Sequence, residues 1–233
     1  MRFLITIILG ILTFNLSAET DRRIIELTGK IAEKYNIKMV LTIKNQNVLG
    51  YYFYESVKIK ILLDGKIDGT KIILNESPDY EPDFKVGFIG ELKDNMIIGN
   101  WLDNNKKKSL SFKSNIVSDK ILKISESINQ IEGFYLNIYN SDKYLSSLYL
   151  NYITDNVFCF LISNGTESGC TGYIKKLIEL DNLSSGTYSG ELCEELKISF
   201  IADTLVVKEK KCEWHGMRCP FDGKYLKKEK GSP

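Results

Sequence analysis

Lys58-Ile59-Lys60-Ile61-Leu62-Leu63-Asp64-Gly65-Lys66-Ile67-Asp68-Gly69-Thr70-Lys71-Ile72-Ile73-Leu74 decides the fold of this chain. Ile59, Ile61 and Leu63 recur at every second position, so an extended backbone places them on one face. Asp64-Gly65 and Asp68-Gly69 are tight-turn signals, because glycine takes positive φ without steric cost. Ile72 and Leu74 then resume the alternation. Turns this short join antiparallel strands, since parallel neighbours need a far longer crossover.

The same pattern extends both ways. Upstream lie Met39-Val40-Leu41-Thr42-Ile43 and, after Asn45-Gln46-Asn47, the run from Val48 to Tyr54. Downstream, Val86 and Phe88, Met96 and Ile98, then Leu110 and Phe112 continue it. Roughly seven such strands predict an antiparallel meander, curled into a barrel or packed as a sandwich. Ahead of it, Thr20 to Tyr35 has helical spacing. Ile24, Leu27 and Ile31 share one face, opposite Asp21, Arg22, Glu26 and Lys30, with Asn36 as a stop.

Ser118 to Ser127 has modest helical character and sits inside a connector over residues 115–130. Period two then returns at Phe134 to Tyr139, Ser147 to Ile153, Val157 to Ile162, Tyr173 to Leu180 and Gly186 to Gly190. Leu196, Ile198, Phe200 and Ala202, Leu205 to Val207 and Lys224 to Leu226 complete a second antiparallel unit. The expected fold class is therefore all-β, with two meander or barrel-like domains, a short leading helix and a short helical connector. The first domain covers 19–114, the second 131–228, with a flexible tail at 229–233. The halves share no register-preserving repeat.

Residues 1–18 read as a secretory signal peptide: Arg2 is the positive n-region, Phe3 to Phe14 the apolar run, and Ser17-Ala18 the small residues before a cut. The run is shorter than the roughly 20 apolar residues a membrane span requires. Loss of Arg2 with this leader balances 30 acids against the remaining bases. Nucleic-acid binding needs a concentrated positive field, so that class is excluded. Lys106-Lys107-Lys108 and Lys227-Lys228-Glu229-Lys230 read as solvated loop and tail. The expected location is periplasmic or secreted.

All five cysteines follow residue 158, and export favours their oxidation. Proximity along the chain pairs Cys170 with Cys193 and Cys212 with Cys219, out of three possible connectivities. Cys159, inside Val157-Phe158-Cys159-Phe160-Leu161-Ile162, reads as a buried free thiol, with an intermolecular bridge or a reactive thiol as alternatives. Cys212-x-x-His215-x-x-x-Cys219 has zinc-ligand spacing. It lacks a fourth ligand, because His215 is the single histidine, so no metal and no cofactor is expected.

That single histidine also constrains catalysis. A Ser–His–Asp or Cys–His set must run through His215, and no Gly-x-Ser-x-Gly marks a partner serine. Glu76, Asp79, Glu81 and Asp83 crowd one stretch where paired carboxylates could act, but Pro78 and Pro82 give it the look of an exposed turn. Tyr51, Tyr52, Phe53 and Tyr54 are consecutive and must project to both faces of their strand. Exposed tyrosines anchor protein contacts well; cover by the helix or the second domain is the competing outcome.

Gly50-Tyr51-Tyr52-Phe53-Tyr54, Ile61-x-Leu63-x-Gly65, Ile73-x-x-Glu76, Phe88-x-Gly90 and Ile98-Gly99-x-Trp101 resemble a β-meander module of exported bacterial proteins. Cys170-Thr171-Gly172, Cys193, Leu196-x-Ile198-x-Phe200, Asp203-x-Leu205-x-Val207 and Cys212-x-x-His215-Gly216-x-x-Cys219-x-Phe221-Asp222-Gly223 resemble a recurrent periplasmic module. Both are similar in style to periplasmic lysozyme-inhibitor-like proteins. The motifs speak to fold and place. Near-neutral charge, missing catalytic sets and disulfide-braced rigidity lead to the expectation of a non-catalytic binding protein of the inhibitor or immunity type, a monomer or weak dimer acting on a protein partner in the cell envelope. The expected contact residues are Tyr51, Tyr52, Tyr54, Asp79, Tyr80, Glu81 and Asp83. An apolar-ligand carrier with a barrel cavity is the alternative, and a carboxylate hydrolase a further one.

Overall fold

The computed structural model describes residues 21–76, 86–105 and 107–228. Eight strands form the first half: β1 (Arg22–Ile31), β2 (Tyr35–Lys44), β3 (Asn47–Tyr54), β4 (Ile61–Asp68), β5 (Lys71–Glu76), β6 (Val86–Lys93), β7 (Met96–Asp103) and β8 (Lys108–Leu122). Each pairs antiparallel with the next, and β8 returns to β1, so the sheet is a closed barrel. A barrel of this strand number has an interior that side chains just fill. Leu27, Met39, Leu41, Tyr52, Leu63, Leu74, Phe88 and Phe112 occupy it, all almost wholly buried.

The second half begins with α1 (Glu126–Ile131), capped by the Ser125 hydroxyl, which accepts from the Ile128 N–H. Then come β9 (Gly133–Asn137), β10 (Tyr144–Thr154), β11 (Val157–Thr166), β12 (Thr171–Glu179), β13 (Ser185–Gly190), β14 (Cys193–Ile201), β15 (Thr204–Cys212) and β16 (Gly223–Lys228). Their order in the sheet is β12-β11-β10-β9-β16-β15-β14-β13. The sheet curls round Leu148, Leu150, Phe158, Phe160, Ile198, Leu205, Phe221 and Tyr225. The chain is thus all-β, as its alternating pattern required.

Several local expectations are corrected. The segment expected as a helix over Thr20 to Tyr35 is strand instead, as far as it is described: β1 occupies most of it and pairs with both β2 and β8. Ile25, Leu27 and Ile31 fill the first barrel, while Ile24 packs into the core of the second half. A strand buried on both faces loses clean alternation, and spacings of three and four then arise by chance. The connector starts later than residue 115, because β8 stays paired to β1 as far as Leu122. Among the described residues, helix is found over Glu126–Ile131 instead of Ser118 to Ser127.

Asp64-Gly65 is not a turn. Gly65 lies in the middle of β4, where a Cβ would stand 1.8 Å from the Ile73 carbonyl oxygen. Here glycine serves close strand approach. Gly69 does make a turn, at φ +58°. Residues 1–18, expected to be a leader, and 229–233, expected to be a tail, lie outside the described residues.

The disulfides are Cys170–Cys219 and Cys193–Cys212, not the pairs that proximity along the chain favoured. Cys193 and Cys212 are register partners across the β14–β15 hairpin. Cys170, at the start of β12, meets the loop after β15, where Gly172 bridges His215. Sheet register decided the connectivity. Two disulfides fit an oxidising compartment, and among the described residues no helix is long and apolar enough to cross a membrane.

Candidate functional site

The second sheet leaves one gap in its circumference. β12 and β13 are its terminal strands and share no ladder. Alternate residues of a strand direct their backbone groups to opposite sides. Thr171 and Tyr173 direct theirs away from β11, to Gly216 and Trp214. Lys175 and Leu177 point the same way, towards β13. Ser184 accepts from Phe200 of β14, so Ser185 and Thr187 present their backbone groups towards β12.

Both ends of this gap are held. At one end Asp181 donates to Ser185, and a Cβ on Gly186 would lie 2.2 Å from the Glu179 carbonyl oxygen. At the other, Trp214 uses its indole N–H on the Glu191 carbonyl, and both disulfides anchor its loop. Between these ends, no backbone hydrogen bond joins Lys175 or Leu177 to Thr187 or Ser189 among the described residues. The result is a short window with a frame.

Lys176 shares the face of Ile174 and Ile178, which point into the second core. Its ammonium lies 4.8 Å from the Trp214 ring centroid and has no carboxylate partner among the described residues. The segment Lys58 to Leu62 of the first barrel runs beside the window. Together these walls, with Tyr188 and Glu179, enclose a cleft of about 750 Å³. Ile59 at its lip is 68% exposed.

The cleft is held open by the packing of the barrels. Tyr51, Leu62, Ile153, Val157 and Cys159 form one buried cluster, flanked by Phe53 and Leu177. The Thr42 hydroxyl donates to the Ile153 carbonyl at 2.6 Å. Lys175 pairs with Asp64, Lys60 with Glu179, and Arg22 with Glu132 at 2.6 Å. Burial opposes the Lys175 charge, yet Asp64 outweighs it and holds that ammonium above its ordinary pKa. The arrangement is rigid and paired.

The tyrosines expected at a contact surface lie elsewhere. Tyr51 is on the outer face of β3 but is covered by the second half, and burial pushes its phenol up to about 12. Tyr52 points into the first barrel and donates to Glu76 at 2.6 Å. Tyr54 is half-buried, edge-on to Tyr35 and Tyr52. Cover by the second domain, the competing outcome, holds for Tyr51. Tyr51 and Tyr52 are therefore closed to a partner in this conformation. Asp79, Tyr80, Glu81 and Asp83 lie outside the described residues.

Glu76 ends β5, and its Oε1 also accepts from the Trp101 indole at 2.5 Å. Burial raises its pKa, against the pull of these two bonds. Cys159 is the free thiol, fully buried in the inter-barrel cluster and pushed up to about 12 by burial. His215 packs edge-on against Phe221, with Nε2 2.7 Å from Glu209 and Nδ1 2.8 Å from the Gly216 carbonyl. Both ring nitrogens face oxygens of its own neighbourhood. Cys212 and Cys219 are spent in bridges, so no thiolate stands beside it.

The sequence reading missed Lys176, Leu177 and Thr187 as site residues. A signal was present: Lys175-Lys176 puts one cation on each face of an otherwise apolar strand. In class, this is a double antiparallel β-barrel with one interrupted wall. Comparison with family models, curated proteins and solved structures finds no match to place it further.

Proposed function

We propose that the chain is an exported, non-catalytic binding protein of the inhibitor or immunity type, acting on a protein partner in the cell envelope. One observation carries this reading: a framed cleft with unpaired strand edges, set between two barrels joined by part-buried ion pairs and a buried apolar cluster. A pre-organised surface loses less entropy when it binds, so rigidity favours affinity. The engagement of both His215 nitrogens with Glu209 and Gly216 supports the non-catalytic part. Close-packed aromatic and aliphatic side chains inside the first barrel favour binding over internal ligand carriage.

The test uses the mature disulfide-bonded chain as bait against envelope extracts and purified muramidases. A stoichiometric, saturable complex is expected, with loss of the partner's activity if the partner is an enzyme. Failure to retain any stoichiometric partner, with bait well above micromolar, counts against a binding role.

A further inference from the structure

Of the sites on the molecule, the gap between β12 and β13 has the most defined unmet chemistry. Its requirement is for backbone. Lys175 and Leu177 on one side and Thr187 on the other direct N–H and C=O groups into the gap without a strand partner. Exposed strand edges recruit another strand unless something blocks them, and main-chain pairing of this kind is a recurrent mode of peptide recognition.

The charge in the gap narrows the occupant. An inward-pointing cation on an edge strand discourages indiscriminate pairing. Lys176 is such a cation, held over Trp214 and lacking a carboxylate partner among the described residues. An entering strand whose inward side chain is Asp or Glu would convert that deterrent into an ion pair. We infer that the β12–β13 gap receives an extended, acidic segment of the partner protein as a short additional strand. The inference rests on the binding role proposed above and names the chemistry of its partner.

Geometry adds a constraint. The sheet is antiparallel throughout its eight strands, so its terminal strands β12 and β13 run in opposite directions. A strand between them must run antiparallel to one and parallel to the other. The frame at Asp181–Ser185 and at Trp214–Glu191 limits the paired stretch to a few residues. Ile59, at the outer lip, can meet an apolar side chain on the opposite face of the same segment.

The experiment pans the intact oxidised protein against a displayed library of random short peptides. Enriched peptides should be net acidic, and Lys176→Glu should move the enrichment to basic sequences. Methylating the amides on one edge of the best peptide should weaken it about tenfold or more, the effect of one or two lost hydrogen bonds. Thr187→Pro removes an edge N–H that no other strand uses and should weaken binding similarly. A second variant, Ser189→Trp, crowds the gap with a bulky side chain at an exposed position and tests its role independently of any proline effect.

No enrichment over a control protein overturns the inference. So does peptide binding that ignores N-methylation and both edge variants, since that is charge adhesion alone. If the cell-envelope partner is still captured by the obstructed Ser189→Trp variant, the binding role stands and the gap is not its site. If peptides bind as described but no partner is ever captured, the gap chemistry holds and the inhibitor-type role fails.

Discussion

Replacing Glu76 separates the charge of a buried carboxyl from its hydrogen-bonding role. Its Oε1 accepts from both Tyr52 and Trp101. Glu76→Ala takes the carboxylate acceptor from the Tyr52 hydroxyl, which is 1% exposed as a residue and keeps only its contact with Tyr54, and frees the indole of the less buried Trp101. An unsatisfied buried donor costs about 1–3 kcal/mol, and a residual void adds to this. A loss of about 2 kcal/mol is expected, shared between the weakened tyrosine, the indole and the void. Glu76→Gln keeps the acceptor oxygen and removes the charge. Because burial raises the native pKa, the native state holds this proton more tightly than the unfolded chain does. That stabilisation is complete below the unfolded pKa and is lost as pH rises through the native one. Urea unfolding of wild type and Glu76→Gln between about pH 4 and pH 8 measures the effect, the window being set by the ordinary carboxyl value and its upward shift. The stability difference should move in favour of the glutamine variant as pH rises. A difference that is flat, or that moves the other way, refutes a carboxyl destabilised by burial.

Other consequences are as direct. By loop-closure entropy, removing Cys170–Cys219, separation 49, should cost about 4 kcal/mol, and removing Cys193–Cys212, separation 19, about 3 kcal/mol. Paired serine variants in urea test that order. Gly65→Ala drives a Cβ to 1.8 Å from the Ile73 oxygen and should cost well over about 2 kcal/mol, whereas Gly69→Ala meets open space at φ +58° and should cost about 1 kcal/mol. Thermal melts of the two rank them. Cys159 should ignore a thiol reagent in the folded protein at neutral pH, since it is fully buried with its pKa near 12, and react only as the chain unfolds. Labelling at the rate of an exposed thiol would disprove its burial.

Much of the architecture was legible in short-range alternation. Ile72 and Leu74, or Leu196 and Ile198, could lie on one face only in an extended chain, and each pair is buried in its barrel. β1 misled because both of its faces are covered, so Ile24 and Ile25 are buried against different cores. The cysteine pairing was hidden for a related reason: it depends on which residues face one another across a hairpin, not on distance along the chain. The tyrosine run was rightly split between two faces. What alternation could not say was that the outer face of β3 would be covered by another barrel. The gap at β12 and β13 was out of reach of local pattern altogether, because it is defined by a hydrogen-bond ladder that does not form.

The loop between Cys212 and Cys219 gives the second barrel an unusual kind of closure. One sulfur link ties the loop to the head of β14 and the other to the head of β12. It thus fastens one terminal strand, β12, to the turn that follows the other, β13, in a ribbon whose own strands never complete the ring. Its backbone takes the place of a ninth strand for Thr171 and Tyr173 alone. Assembly of this half therefore has a chemical last step. Until the thiols oxidise, the clasp is undone and the ribbon carries two loose margins, each able to pair with a stranger. The yield of correctly made protein should then follow the speed of oxidation relative to chain encounter, and dilution should rescue it.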